Sequence, residues 1–343
     1  MAKTALLIGG TGQIGMATAQ RLAQGGWAVT IAHRGEHAPG LPTPVASIRF
    51  DRDDTAALLA AARGNDLVLA TVAYDTVHAE QLAQLAGDVG SLVVISTGSV
   101  YLGRNGGYLD IATDDDFPTY PVPLRETDPI VDNAEQTYSP LKAAMERRLL
   151  AADDLPVSIL RPGAIHGPHS RALREWFFIK RVLDGRRRVV LAHDGASRFS
   201  TSSTANIAEL VALCAEQPGR RVLNAVDEDG LSVAEIGRAV FTAMGHEAEI
   251  LTFAGPPRGE LGSNPWGISR PMLLSMAAAR AQLGYVPAVS YVEGLADDIR
   301  WVTDAVATAE RRGESWEELF PSLVARYGSD GWFPYSAEDA FVR

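Results

Sequence analysis

A chain of 343 residues with 46% hydrophobic side chains is long enough for one large α/β domain or two modest ones, with ample apolar material for a core. Its formal net charge of −11 argues against nucleic acid as the main partner, and its single cysteine, Cys214, excludes an intrachain disulfide and fits a reducing compartment. No apolar run approaches the ~20 residues of a membrane span, and residues 4–8 are too short for a signal-peptide core, so a cytoplasmic protein with no membrane partner is expected.

Lys3 to Ile8 is a short apolar run that ends in Gly9-Gly10-Thr11-Gly12-Gln13-Ile14-Gly15. The alanine-rich Met16 to Gln24 reads as a helix stopped by Gly25-Gly26. Strand, glycine turn and helix form the setting in which such a motif holds a dinucleotide. Gly9 permits the tight turn, Gly12 lets backbone approach a pyrophosphate, and Gly15 lets the helix pack closely on the strand. The helix N-terminus adds free N–H groups and a positive dipole end. Trp27 to Ala32, Val45 to Phe50, Leu67 to Val72, Leu92 to Ser96 and Val157 to Arg161 read as strands. Asp53 to Ala62, Thr76 to Ala86 and Thr137 to Ala152 read as helices. This alternation predicts a doubly wound parallel sheet of Rossmann type with right-handed crossovers. Near-continuous apolar strands fit a sheet covered on both faces.

The dinucleotide-binding domain is expected over 1–165 and includes a long irregular stretch, Leu102 to Gln136, that borders the cleft. A smaller substrate-binding part, with Arg186 to Leu191 and some segments returning to the first domain, is expected over 166–310. Helical Asn206 to Glu216 holds Cys214 as packed core rather than nucleophile. An aromatic-rich tail over 311–343 carries Trp316, Phe320, Trp332, Phe333 and Tyr335. The cations Arg171, Arg174, Lys180, Arg181 and Arg186-Arg187-Arg188 read as a solvated helix face.

Tyr138 and Lys142 stand four residues apart in the helix predicted over 137–152, and so on one face of it. The chain has 31 Lys and Arg residues, of which only Lys3, Lys142 and Lys180 are lysine. With nine tyrosines in the chain, chance supplies roughly 0.08 such Tyr-x-x-x-Lys pairs. Lysine is a compact point charge that arginine does not replace. Beside a phenol it favours the phenolate and suits the tyrosine to proton transfer. At the end of the second strand, Ile31-Ala32-His33-Arg34-Gly35-Glu36 lacks the acid that would bind the ribose 2′-OH of NAD, and Arg34 suits the 2′-phosphate of NADP. NADP is therefore favoured, with NAD the alternative if Glu36 folds back. No metal is expected.

The glycine turn, Val94-Ile95-Ser96-Thr97-Gly98-Ser99-Val100-Tyr101, Tyr138-Ser139-Pro140-Leu141-Lys142, Leu160-Arg161-Pro162-Gly163-Ala164-Ile165-His166-Gly167-Pro168 and Ala279 to Pro287 stand in this order. Over roughly residues 4–310 the chain thereby resembles the extended short-chain dehydrogenase/reductases, the NAD(P)-dependent epimerase/dehydratase group. The resemblance implies hydride transfer between a nicotinamide and a carbonyl, alcohol or sugar-nucleotide substrate. Tyr138 would act as acid/base and Lys142 would tune it and bind the ribose. Thr97, with Ser96 and Ser99 as neighbours, would orient the substrate; the bland reading is a hydroxyl satisfying local backbone.

It also places the cofactor against Gly9, Thr11, Gly12, Gln13, Ile14 and Gly15, against His33, Arg34, Asp51 and Arg52, and against Thr71, Val72, Ala73 and Ser96. Tyr138, Lys142, Arg161, Pro162, Gly163 and Ile165 complete that set. Ser99, Tyr101, His166 and Arg198, with Asn206, fall on the substrate side, and in nucleotide-sugar relatives the 171–188 cations help hold substrate phosphates. Leu102 in place of a glycine and His166 in place of a tyrosine depart from the family pattern. A homodimer through the helices at 76–86 and 137–152 is implied. A non-catalytic NADP-sensing or RNA-associated protein of the same fold is the alternative.

Overall fold

The computed structural model describes residues 2–35, 40, 44–170, 172–328 and 332–341; Glu36 and Arg171 lie outside the described residues. The first half runs β1 (Thr4–Ile8), α1 (Gln13–Gln24), β2 (Ala28–His33), β3 (Ala46–Arg49), α2 (Thr55–Ala62), β4 (Leu67–Ala70), α3 (Thr76–Ala83), β5 (Ser91–Ile95), α4 (Tyr138–Leu150) and β6 (Val157–Pro162). The second half continues with β7 (Ala164–His166), α5 (Trp176–Leu183), β8 (Arg188–Leu191), β9 (Thr201–Ser203), α6 (Thr204–Glu216), β10 (Arg221–Ala225), α7 (Val233–Ala243), β11 (Glu249–Thr252), α8 (Ala277–Leu283), α9 (Tyr291–Arg311), α10 (Trp316–Leu319), α11 (Pro321–Tyr327) and α12 (Tyr335–Ala340).

Seven parallel strands form one sheet in the order β10-β6-β5-β4-β1-β2-β3. The order reverses between β1 and β4, so their carboxyl ends open the crevice where ligands bind in doubly wound sheets. Leu67 to Ala70 and Ser91 to Ile95 are buried throughout, because α1 and α6 cover one sheet face and α3 and α4 the other. The edge strand differs from the sequence expectation: β3 is exposed along its whole length. It has a strand neighbour on one side only.

β10 and α6 return to the large sheet from the second half of the chain, and the small lobe holds two further parallel pairs, β8–β11 and β7–β9. Its core gathers Trp176, Phe177 and Phe178 of α5 with Val233, Ile236, Trp266, Leu295, Val302, Phe320 and Trp332. The tail therefore belongs to this core, and of the cations expected on a solvated face Lys180, Arg181 and Arg186 are paired, while Arg187 is exposed. Arg181, 1% exposed, pairs with Glu338 at 2.7 Å, and Arg186 pairs with Asp339 at 2.5 Å. Lys180 pairs within its own helix with Asp184 at 2.6 Å.

The 102–136 stretch has little regular structure yet is anchored. Phe117, Tyr120 and Leu124 join the core on the α1 face of the sheet, and Leu124 bridges to Leu274. Its Asp110 does what the N-cap residue of α4, Thr137, does not: the carboxylate accepts from Ser139 N at 2.7 Å and Ser139 Oγ at 2.6 Å. A carboxylate at a helix N-terminus satisfies orphan amides and complements the dipole. The loop thus fixes the helix end on which Tyr138 stands.

Candidate active site

A cavity of about 540 Å³ opens at the carboxyl ends of β1, β2 and β4 and is walled by Gly9, Thr11, Gly12, Gln13, His33, Arg34, Asp51, Arg52, Asp53, Thr71, Val72, Tyr74 and His78. Gly9 has φ +76°, and a Cβ there would stand 2.5 Å from Thr71 Oγ1. Glycine alone takes that conformation at no steric cost. Thr71 Oγ1 instead donates to the carbonyls of Ile8 and Gly9 at 3.1 and 3.0 Å, tying the turn to β4. Gly12 is the N-cap of α1, and a Cβ there would make only ordinary van der Waals contact, with Gly9 O at 3.7 Å. Gly15 serves contact rather than approach: a Cβ there would fall on the backbone of Gly10.

These residues fit a dinucleotide. α1 begins at Gln13, three residues before the start expected from sequence, and aims its unsatisfied amides at the cavity. Gln13 Oε1, His33 Nδ1, Arg52 Nε and Arg52 Nη2 are buried without a protein partner. Buried polar groups are ordinarily hydrogen-bonded, so four unspent groups on one wall suit a polar ligand. Arg52 is held in place by Gln81, whose Oε1 accepts from Nη1 at 3.0 Å. Arg34 lies on the rim, and its carbonyl accepts from Arg49 Nε at 2.7 Å.

Tyr74 carries the wall toward the second group of residues. Lys142 Nζ lies 5.0 Å from the Tyr74 ring centroid and 5.9 Å from that of Tyr138. The ammonium is 2% exposed and donates to the carbonyls of Ala73 at 2.6 Å and Ile95 at 2.9 Å, at the ends of β4 and β5. Burial pushes it down to about 8, with Glu146 opposing. Tyr138 is 49% exposed on the first turn of α4. Thr97 Oγ1 caps the turn that follows β5, accepting from Ser99 N at 3.2 Å and lying 3.1 Å from Ser99 Oγ. Both hydroxyls are half-buried.

Other residues singled out in the sequence sit elsewhere. Ser96 Oγ donates to Glu146 Oε1 at 2.5 Å, and Arg161 Nη2 reaches Glu146 Oε2 at 2.5 Å, in a network that is buried throughout. Burial disfavours the Arg161 cation, but Glu146 outweighs this and raises its pKa. Tyr101 is fully buried under Arg161, donates to Asn224 Oδ1 at 2.6 Å, and is pushed up to about 12 by burial. His166 is clamped between Asp227 and Asp298, each at 2.8 Å. Burial opposes its charge, yet the two carboxylates hold its pKa well above the ordinary value. Asn206 joins that cluster by donating to Asp227 at 2.9 Å. Arg198 holds Gly230 O at 2.5 Å and Glu235 at 3.2 Å. Ile14 is core, while Arg161, Pro162, Gly163 and Ile165 follow β6 into β7, off the cavity wall. Sequence reasoning missed Asp110, Glu146, Tyr74 and His78. Only Tyr74 had a local signal, its place just after the 67–72 strand.

Glycine turn, switch-point cavity and buried lysine together define a dinucleotide-binding protein of the doubly wound class. The model of the NAD dependent epimerase/dehydratase family matches residues 5–225, and the chain belongs to that family. It is 29% identical, over 84% of this chain and 96% of the other, to a 2-alkyl-3-oxoalkanoate reductase of Stenotrophomonas maltophilia (strain K279a). Similar folds include a dTDP-glucose 4,6-dehydratase from Bacillus anthracis in complex with NAD, with TM-score 0.66, 16% identity and coverage of 88% of this chain and 97% of that one. A UDP-glucose 4-epimerase with UDP-glucose from Thermotoga maritima has TM-score 0.64, 18% identity and coverage of 88% and 99%. Among the described residues no helix is long and apolar enough to cross a membrane.

Proposed function

We propose that this chain is an NADP-dependent reductase of a small carbonyl substrate, with Tyr138 as the proton donor. The observation that carries the reading is the Lys142 ammonium, buried against two carbonyls and 5.9 Å from the ring of a half-exposed tyrosine. A buried cation is expensive to keep, and an ammonium beside a phenol favours its phenolate and eases proton transfer. A bound nicotinamide supplies the hydride. Tyr138 gives its proton to the carbonyl oxygen as the alcohol forms, Thr97 or Ser99 orients that oxygen, and Asp110 steadies the helix turn beneath. A sensor has no use for all of these groups.

The substrate class leans on the reductase relative, which points to the keto group of a 3-oxoalkanoate-like acid. A sugar-nucleotide is the weaker reading, because Lys180, Arg181 and Arg186 are paired with carboxylates rather than gathered for phosphates. NADP over NAD is supported by His33, Arg34 and Arg52 on the adenosine-side wall, with no acid among the described residues at the end of β2. Two-fold pairing through α3 and α4 is supported by Val77 of α3, 62% exposed, and by half-buried Leu141 and Ala144 of α4.

The test follows NADPH oxidation with a 2-alkyl-3-oxoalkanoate and, separately, the conversion of UDP-glucose and dTDP-glucose in the presence of NADP+ by chromatography of the sugar product. The 3-oxo acid is expected to turn over, Tyr138→Phe to lose at least ~100-fold in rate while holding NADPH normally, and Arg34→Ala to lose the preference for NADPH over NADH. Full activity in Tyr138→Phe would sink the mechanism, and a wild-type preference for NADH would sink the cofactor choice. Light scattering reads the pairing: a mass of 36.7 kDa at micromolar concentration would exclude it.

A further inference from the structure

One stretch of the cavity wall does not come from the glycine-turn side. His169 and Ala172, on the segment joining β7 to α5, line the same cavity as Gly12 and Gln13. The sequence motif read as Leu160 to Pro168 stops one residue short of this histidine, and no site role was attached to it.

His169 holds φ +66°, a conformation that non-glycine residues rarely adopt. Such a residue persists only where its surroundings over-determine it. Here they do. The turn before it is locked at Gly167, φ +144°, where a Cβ would fall on the Thr204 side chain. Ser170, 2% exposed, accepts from Ala172 N at 3.3 Å on the other side. The imidazole rests 5.9 Å from the Trp301 ring of α9, and Trp301 packs in turn 6.1 Å from Phe320 of the tail. An aromatic chain rooted in the small lobe thus presses one imidazole against a cavity that the large lobe built. No hydrogen bond to protein anchors the ring among the described contacts, and burial alone lowers its pKa. It therefore has an unspent N–H.

We infer that His169 is the small-lobe ligand of the dinucleotide phosphates, closing from above on the anion that the N-terminus of α1 holds from below. The α1 end supplies backbone amides; His169 adds a side-chain donor from the other lobe, so that binding pins the two lobes together across the phosphates. The position also explains why a strained residue is kept there: a histidine in ordinary backbone geometry would point its ring elsewhere. This inference rests on the dinucleotide reading of the cavity, though not on the choice of substrate or on Tyr138.

The experiment is direct binding by calorimetry, with NADPH, NADH and adenosine 2′-monophosphate as probes, on wild type and His169→Gly. Glycine accepts φ +66° without strain and removes only the ring. The variant is expected to bind the preferred dinucleotide roughly 10- to 100-fold more weakly, the range for losing a hydrogen bond to a charged group. Adenosine 2′-monophosphate lacks the 5′ phosphates, and its affinity should stay unchanged, which also certifies that the large lobe is folded. Equal dinucleotide affinity in wild type and variant overturns the inference alone. Matching losses for all three probes overturn it too, since they would show a general disturbance of the cavity. Wild type that binds neither dinucleotide overturns the reading of the cavity and this inference with it.

Discussion

Replacing Glu338 by glutamine isolates a guanidinium that the fold has enclosed. Arg181 is 1% exposed and Glu338 is 1% exposed. The arginine reaches Glu338 Oε1 at 2.7 Å, Trp332 O at 2.8 Å and Phe177 O at 2.8 Å, and stacks 3.9 Å from the Phe177 ring centroid. Burial drives its pKa below the ordinary value and Glu338 opposes the fall. The carbonyls and the ring are dipolar partners; only the carboxylate carries a full opposing charge. Removing one member of such a buried pair costs about 3–5 kcal/mol. Because the glutamine amide keeps an oxygen in place, the lower end applies, or about 3 kcal/mol. At about 2.1 cal/mol/K of unfolding entropy per residue, 343 residues give about 1.4 °C per kcal/mol, a fall in Tm of roughly 4 °C. The neighbouring pair Arg186–Asp339 is an internal control, since its partners are 21% and 60% exposed and a surface pair contributes about 0–1 kcal/mol. Thermal unfolding followed by circular dichroism, with limited proteolysis in the 311–315 connection to detect release of the tail, measures both. The double change Arg181→Met with Glu338→Leu should recover most of the loss, because an apolar pair of similar volume avoids desolvation. If Glu338→Gln stays within ~1 kcal/mol of wild type and matches Asp339→Asn, the buried pair does not hold the tail, and the reasoning fails.

Lys142→Met should abolish turnover yet raise stability at neutral pH. The folded pKa, about 8, lies below the usual 10.5, so the unfolded chain binds more protons between those values and wild-type stability climbs with pH across that window. Below pH 8 the buried charge costs roughly 3 kcal/mol, of which the orphaned carbonyls of Ala73 and Ile95 give back about 1–2. Denaturant titrations should therefore show the variant ~1–2 kcal/mol more stable at pH 7 and no better near pH 10.5; a gap that does not change with pH would contradict the assignment. Gly15→Ala sets a Cβ on the Gly10 backbone, where no side chain can swing aside. It should cost about 1–3 kcal/mol and weaken dinucleotide binding by calorimetry; unchanged affinity would show that the turn tolerates a shift of α1.

Much of the large sheet was legible because its signals are short-range. Six apolar runs, a glycine turn and a Tyr-x-x-x-Lys spacing each act within a few residues, where backbone sterics and helical period decide the outcome. They sufficed to place the turn under α1 and Lys142 beside Tyr138. Boundaries slipped by a few residues: α1 starts at Gln13 inside the glycine turn, and the cap of α4 comes from Asp110, 29 residues away, which no local pattern announces. What tertiary structure alone decided is which charged groups are spent and which are free. Arg181 reads as a surface cation until Glu338, 157 residues later, arrives to bury it. His166 reads as a substrate residue until Asp227 and Asp298, 61 and 132 residues away, close on both ring nitrogens. Ser96 and Arg161 likewise sit beside the expected cleft in sequence and face Glu146 in space. A side chain's type sets what it can bind, but its partner is chosen by packing between elements far apart in the chain, and no local pattern carries that choice.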